Sequence, residues 1–506
     1  MGNKKIMIIG SGVAGMAAGC YLQMNGYETE IFEKEPQVGG LCTSWEKQGY
    51  TFDGGITWLV GSGEKHIFNK FWRELGVIPA IKFKQDELYA RAYLKDGTEF
   101  NLYSNAEKLR NEFLRFAPED EEFIDKMYQA IKTISNSNLN LEKSPELFTY
   151  EDFLAFKETA GPYMKTIKEW KIKIRDFAQQ FKSPFIKENF ERVFWFNPDT
   201  YMSYFLLTLA WCDMETCGYP LNSSLELAKN IQKRYEQLGG KIHLKTPIEK
   251  IIVENNCAVG VQMKNGEIKQ SDMVISACDG YTTIFKMLDG EFVDEDIDFV
   301  YKNLQPTNAK IRVSLGLNTN KQDLPRYFNV SFDHPIKVSA DKEINNVLVN
   351  VFSDQSFVKE GTSSIVITLS TDYFYWQDLY INDRKLYRKE KQRIADEAIA
   401  AIEGKFKGIK SHIEVIDVAT PVTFERYTNN MNGAILGWEK EEHSFIHEDK
   451  VKRELPNLDS FYMIGHWALV GGGLPSVMLQ ARNLVQLICA KDEKAFSAVI
   501  NIDQEV

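Results

Sequence analysis

Residues 4–40 read KKIMIIGSGVAGMAAGCYLQMNGYETEIFEKEPQVGG, and this stretch decides the fold. The apolar run Ile6–Ile9 predicts a buried strand that enters Gly10-Ser11-Gly12-Val13-Ala14-Gly15 without a linker. A helix is expected over Met16–Asn25, ended by Gly26 in the place of a left-handed cap, and a second strand over Glu28–Phe32 ends on Glu33. Each residue type has a physical task. Gly10 allows the tight turn, Gly12 lets backbone approach a pyrophosphate, and Gly15 lets helix and strand pack closely. The helix start offers unpaired N–H groups and a positive dipole end to phosphate. Glu33 lies at about the 20-residue offset of a carboxylate that binds ribose hydroxyls. A lone G-x-G-x-x-G is a weak signal, equally at home in an unrelated α/β turn. The strand before it, the helix after it and the acid beyond it together specify a dinucleotide site.

Outward from the turn, Gly39-Gly40-Leu41-Cys42-Thr43-Ser44 follows the acid, and Gly49-Tyr50-Thr51-Phe52-Asp53-Gly54-Gly55-Ile56-Thr57-Trp58 comes next. This resembles the flavin amine oxidase and phytoene desaturase superfamily, in which a Gly-Gly pair follows the ribose-binding acid. The resemblance implies FAD rather than NAD. That group usually has Arg after the pair, and Leu41 stands here, which removes a cationic contact and argues against a typical amine oxidase. The segment Phe52–Thr57 is similar to the family stretch whose backbone runs beside the flavin ring. Farther on, Gly239-Gly240, a strand over Lys241–Leu244, Thr246-Pro247-Ile248, strands over Lys250–Glu254 and Ala258–Met263, and Met273–Ala277 resemble a second cofactor segment. The resemblance places Ile248 at the adenine side and Ala277–Asp279 near the pyrophosphate. Where the family often has Gly-Gly after Tyr-Pro, Leu221-Asn222 follows Tyr219-Pro220 here.

The last motif is Gly465-His466-Trp467 with Gly471-Gly472-Gly473-Leu474-Pro475-Ser476-Val477, after a strand over Asn457–Ile464 and before an apolar helix over Met478–Ala490. It is similar to the phytoene desaturase segment that opens a helix toward the flavin pyrimidine, where negative charge on reduced flavin meets the helix dipole. Ala419-Thr420-Pro421, Arg426-Tyr427 and Gly433–Gly437 resemble a C-terminal pattern of carotenoid isomerases and retinol saturases, and equally suit a structural loop with a glycine hinge. The expected cofactor contacts are Gly10, Gly12, Val13, Ala14, Gly15, Glu33, Lys34, Gly40, Leu41, Gly55, Ile56, Thr57, Ile248, Ala277, Gly465, Gly473, Leu474 and Val477. His466 is the candidate catalytic acid/base, with a structural or flavin-adjacent hydrogen bonder as its alternative. Trp58 is expected in the pocket wall.

Length and composition bound the rest. A chain of 506 residues, 44% hydrophobic and 26% charged, suits two intertwined domains. The expected fold is α/β, a discontinuous Rossmann-type FAD-binding domain at 1–76, 218–290 and 445–506 with an interleaved α+β substrate domain at 77–217 and 291–444. A formal charge of -11 excludes nucleic acid as a natural partner. Seven scattered cysteines suit reduced thiols in a cytoplasm, and no ligand cluster suggests a metal. The first strand begins too early for a secretory signal, and no apolar run is long enough to span a membrane.

Residues 150–217 are rich in rings, among them Phe177, Phe181, Phe185, Phe190, Phe194, Trp195, Phe196, Tyr201, Tyr204, Phe205 and Trp211, with a helix break expected at Asn197-Pro198-Asp199. They read as a helical core or as the wall of an apolar substrate tunnel or membrane-facing entrance. One dinucleotide turn leaves NAD(P)H, a quinone or oxygen to exchange electrons without a second nucleotide domain. The resemblance thus implies an FAD-dependent oxidoreductase acting on carbon–carbon bonds of a hydrophobic, carotenoid-like substrate. A redox-neutral double-bond isomerase of a polyene or fatty acid is the alternative, ahead of an amine oxidase or a non-enzymatic flavin or lipid binder. The protein is expected in the cytoplasm, peripheral to a membrane.

Overall fold

A computed structural model describes residues 4–137, 139–194, 198–440 and 442–499. The expected break at residue 197, and Trp195 and Phe196, lie outside them. The cofactor side is built on strand β1 (Lys5–Ile9), helix α1 (Val13–Met24), strand β2 (Glu28–Phe32), helix α2 (Ser224–Gln237), strands β3 (Lys241–His243), β4 (Met273–Ser276) and β5 (Phe461–Met463), and helix α3 (Leu474–Lys491). The five strands form a parallel sheet in the order β3-β2-β1-β4-β5, with Ile8 beside Ile31 on one side and Ile275 on the other. Strands covered on both faces read as continuous apolar runs, as Ile6–Ile9 does.

Helix α1 shows no polar face because α2 and α3 enclose it. Val13 through Leu22 are all buried, and a side chain at Gly19 would collide with the Tyr235 ring of α2. The helix begins three residues before the sequence pattern suggested, since Gly12 serves as its N-cap. Helix α3 likewise begins at Leu474, with Pro475 in its first turn, where a missing N–H costs nothing. Its Arg482 donates to the Glu74 carboxylate at 3.1 Å, a fully buried pair that Tyr21 completes by donating its hydroxyl at 2.9 Å.

A seven-stranded sheet forms the second layer, ordered Ile413–Ala419, Lys310–Leu317, Ser363–Ser370, Glu343–Phe352, Tyr327–Lys337, Leu88–Tyr93 and Glu99–Tyr103. The hairpin over residues 88–103 thereby joins strands more than 200 residues away, through parallel pairing of Arg91 with Phe328. One face of this sheet packs Val313, Leu315, Ile365, Ile367, Val347 and Val349 against the helix Arg384–Lys405. Within the ring-rich segment the core reading holds for four of the rings. Phe177, Phe181, Phe190 and Phe205 are core, packed with Phe113 and Phe123. Tyr204 and Trp211 instead reach other elements: Tyr204 stacks on Phe445, and Trp211 lies 6.5 Å from Trp58.

Candidate active site

The carboxyl ends of β1, β2 and β4 open on a cleft at the switch point of the parallel sheet. Its walls bring together Gly10, Gly12, Val13, Ala14, Glu33, Lys34, Gly40, Leu41, Ile248, Ala277, Gly465, His466, Leu474 and Val477, from chain segments more than 400 residues apart. Gly15 lies behind the wall: its Cα faces the Gly10 carbonyl, and a Cβ there would overlap that oxygen. Gly473 caps α3 next to Leu474.

Gly55, Ile56 and Thr57 do not line the cleft. The Asp53 carboxylate, pushed up by burial, accepts from the Gly55 N–H at 2.8 Å and from the Ser224 hydroxyl and N–H. The Ser224 hydroxyl in turn accepts from the Ile56 N–H at 2.8 Å, and the Thr57 carbonyl accepts from the Arg326 guanidinium. This loop is therefore pinned between α2 and the seven-stranded sheet.

The cleft fits a dinucleotide on its own geometry. Gly10 adopts φ +97°, which only glycine tolerates well, and turns the chain from β1 toward α1. A Cβ at Gly12 would meet no protein atom within 4 Å, so packing does not demand glycine there; the space is free for a ligand to touch backbone. The α1 N-terminus faces that space with no side-chain cap. Glu33 stands at the end of β2, 8% exposed, accepting from the Ser11 N–H and hydroxyl at 2.9 and 2.8 Å through one oxygen and from the Glu35 N–H at 2.9 Å through the other. It shapes the turn as well as presenting a carboxylate. Across the cleft Asp279, pushed up by burial, accepts from the Thr282 and Met431 N–H groups at 2.7 and 2.8 Å and ties the loop 429–433 to β4. Leu41 brings no charge, and Lys34 is turned away to the Arg426 carbonyl and Glu35.

Beyond Leu474 the cleft reaches His466. Burial, with Lys440 adding to it, drives this imidazole down to about 4, so it is neutral at pH 7, and its Nε2 is buried without a hydrogen-bond partner among the described residues. Lys440 was not singled out by the sequence. Its Nζ lies 5.4 Å from the Tyr204 ring centre, makes no hydrogen bond or ion pair among the described residues, and is pushed by burial down to about 8. Tyr204, pushed far up by burial, would touch a Cβ placed on Gly471. A lysine beside an aromatic segment carries no motif, so only tertiary packing identifies it. Among the described residues no group of His, Cys, Asp and Glu could hold a metal ion.

The chain belongs to the family described as flavin containing amine oxidoreductase, whose model matches residues 13–292, and FAD is its cofactor. It is an FAD-dependent oxidoreductase. It is 25% identical to a chloroplastic prolycopene isomerase of Daucus carota over 84% of this chain and 71% of that one. It is 24% identical to a 4,4'-diapophytoene desaturase (4,4'-diapolycopene-forming) of Methylomonas sp over 98% and 97%. An oxidoreductase from Methanosarcina mazei shares the fold with a TM-score of 0.61 at 16% identity, over 95% of this chain and 100% of that one.

Replacing Glu33 with Ala should leave a folded protein that loses FAD on gel filtration, with affinity lower by roughly tenfold, the worth of one charge-assisted hydrogen bond. Full flavin occupancy in that variant would remove Glu33 from ribose binding.

Proposed function

We propose that the protein desaturates or saturates a carbon–carbon bond of a long unsaturated isoprenoid of the carotenoid kind. The observation that carries this reading is full-length similarity to a desaturase of such a compound, over 98% of this chain and 97% of the relative. In this reading Gly12, Val13 and Ala14 hold the pyrophosphate, Glu33 the ribose, Ile248 the adenine side, and the α3 N-terminus at Gly473 and Leu474 the flavin pyrimidine. Bound there, FAD supplies hydride-accepting and hydride-donating chemistry. The protein's own part is to orient the chain, exclude water and handle the accompanying proton. His466 Nε2 and Lys440 Nζ are the candidate proton carriers, since one is neutral and unpartnered and the other titrates near neutral pH. Trp58, Trp211 and Tyr204 would line the apolar path.

Membrane contact fits the same reading. Tyr150, Phe153, Leu154 and Met164 are 76, 53, 45 and 53% exposed on the helix Tyr150–Glu169, at spacings that share one face. No helix among the described residues is long and apolar enough to cross a membrane. We place the protein at the surface of a cytoplasmic bilayer, with NAD(P)H, a quinone or oxygen as its electron partner.

The second reading, a redox-neutral polyene isomerase, is favoured by the prolycopene isomerase similarity. Anaerobic mixing of the oxidised holoprotein with carotenoid precursors, retinoids and unsaturated fatty acids separates the two. Bleaching of the flavin band with a polyene is expected of a desaturase. Cis–trans conversion with pre-reduced flavin and no net oxidation marks an isomerase. Hydrogen peroxide formation with amines and silence with every polyene would overturn both. His466→Ala should keep FAD and slow turnover by about a hundredfold, within the range of lost acid–base catalysis; unchanged turnover removes His466 from the chemistry.

A further inference from the structure

The seven-stranded sheet has a second face, and its chemistry is wrong for a plain hydrocarbon. Opposite the apolar face that packs on the helix Arg384–Lys405, alternate residues of the strand Lys310–Leu317 are Lys310, Arg312 and Ser314. Register extends this polar character across the neighbouring strands. Arg312 stands beside Thr368, Thr368 beside Leu348 and Leu348 beside Asn329, while Lys310 stands beside Ser370. A strand whose inner face reads Ile-Val-Leu could as readily carry apolar residues on the other. Two cations and a hydroxyl stand there instead on this strand, with Leu348 and Val366 as apolar neighbours on the same face.

These groups are short of partners. Arg312 donates to the Gly54 carbonyl, its Nε is buried with nothing to bond, and it forms no ion pair among the described residues. Asp53 is near it, yet both Asp53 oxygens are taken by Ser224 and Gly55. Lys310 donates to the Ser370 hydroxyl at 2.7 Å and likewise has no carboxylate in ion-pair contact. Burial brings that ammonium down to about 8, with the nearby Arg312 and Lys342 charges pushing the same way and Glu439 opposing them. On the same face Ser314 Oγ, and two and three strands away Asn350 Oδ1 and both amide atoms of Asn329, are buried without partners among the described residues. A native interior leaves few such groups, and each calls for an explanation. Arg312 and Thr368 keep part of their surface open, whereas Val313, Ile367 and Val349 on the other face are fully buried. Through Gly54, Arg312 touches the loop that joins the sheet to the cofactor side.

We propose that the substrate is an amphiphile, an unsaturated chain ending in a carboxylate, and that Arg312, with Lys310 and Thr368 beside it, receives the carboxylate head. A guanidinium fork matches a carboxylate in shape and charge, and a buried cation is otherwise costly to leave unpaired. This rests on the proposed function, whose unsaturated chain it completes with a head group. It narrows the substrate class from hydrocarbons to acids.

The test compares an acid with its alcohol on the FAD-loaded protein at pH 7, using all-trans-retinoate against all-trans-retinol and linoleate against linoleyl alcohol. Binding is read by quenching of tryptophan fluorescence. The acid of at least one pair should bind about tenfold or more tightly than its alcohol, the range expected of one charge-assisted pair. Arg312→Gln should abolish that preference while leaving the alcohol's affinity and the FAD content unchanged; Arg312→Lys should restore part of it. Should Arg312→Gln not accumulate as folded protein, Lys310→Gln must reduce the preference at least threefold. Equal affinity for acid and alcohol in both pairs, or a preference that survives these substitutions, overturns the proposal. Flavin bleaching by a carotenoid hydrocarbon with no acid preference would leave the proposed function standing and remove the carboxylate head; silence toward every polyene would remove the function itself.

Discussion

Gly12→Ala is expected to give a protein that folds and carries no FAD, while Gly15→Ala, three residues on in the same turn, is expected to give no folded protein. The two glycines have different physical reasons. A methyl group on Gly12 meets no protein atom within 4 Å, so the apo fold tolerates it, but it occupies the space in which a pyrophosphate must approach the α1 N-terminus. A methyl group on Gly15 falls against the Gly10 carbonyl oxygen and lies 3.2 Å from the Ala277 Cβ. Neither backbone carbonyl nor strand can yield in a close-packed interior, so α1 would have to leave β1. Circular dichroism and the flavin content of purified protein check both variants. A Gly12→Ala protein with full FAD, or a Gly15→Ala protein with native stability, would contradict the reading of this turn.

The second large effect is on stability. Arg482→Met should cost about 3–5 kcal/mol, the usual penalty for removing one partner of a buried ion pair. Glu74 is 1% exposed and would be left buried without its cation, with the Tyr21 hydroxyl as its remaining side-chain hydrogen bond among the described residues. Arg482 also stacks over Phe71 at 4.4 Å and donates to the Glu142 carbonyl, so α3 would lose its tie to the preceding segments. Adding Glu74→Gln to Arg482→Met should recover a substantial part of the loss, because the orphaned charge goes with it. Urea unfolding followed by tryptophan fluorescence measures both. By contrast, breaking the exposed Lys65–Glu215 pair, with side chains 63 and 71% exposed, should change stability little. If Arg482→Met is as mild as that, the buried pair is not structural.

What the sequence determined by itself was local. The turn at residues 10–15 needs glycine for reasons that act within a few residues, and Glu33 follows at a distance set by one helix and one strand. The apolar run from Met478 likewise marked the last helix, although its start at Leu474 lies four residues earlier than that run. Ile248, Ala277 and His466 were singled out by family resemblance rather than by local signals, and the fold brings all three to one cleft. Burial, pairing and charge environment were decided only by the tertiary structure. Whether Phe177 and Phe190 form core while Tyr204 turns toward Gly471 depends on which helix covers them. Ile56 and Thr57 are held by Ser224 and Arg326, about 170 and 270 residues away, and Gly55 by the Asp53 carboxylate that Ser224 also engages. Lys440 and Arg312 carry no motif, and each becomes chemically distinct only because packing removes part of its water and brings no carboxylate into ion-pair contact among the described residues. Sequence sets backbone conformation through neighbours along the chain; the state of a charged group is set by neighbours in space.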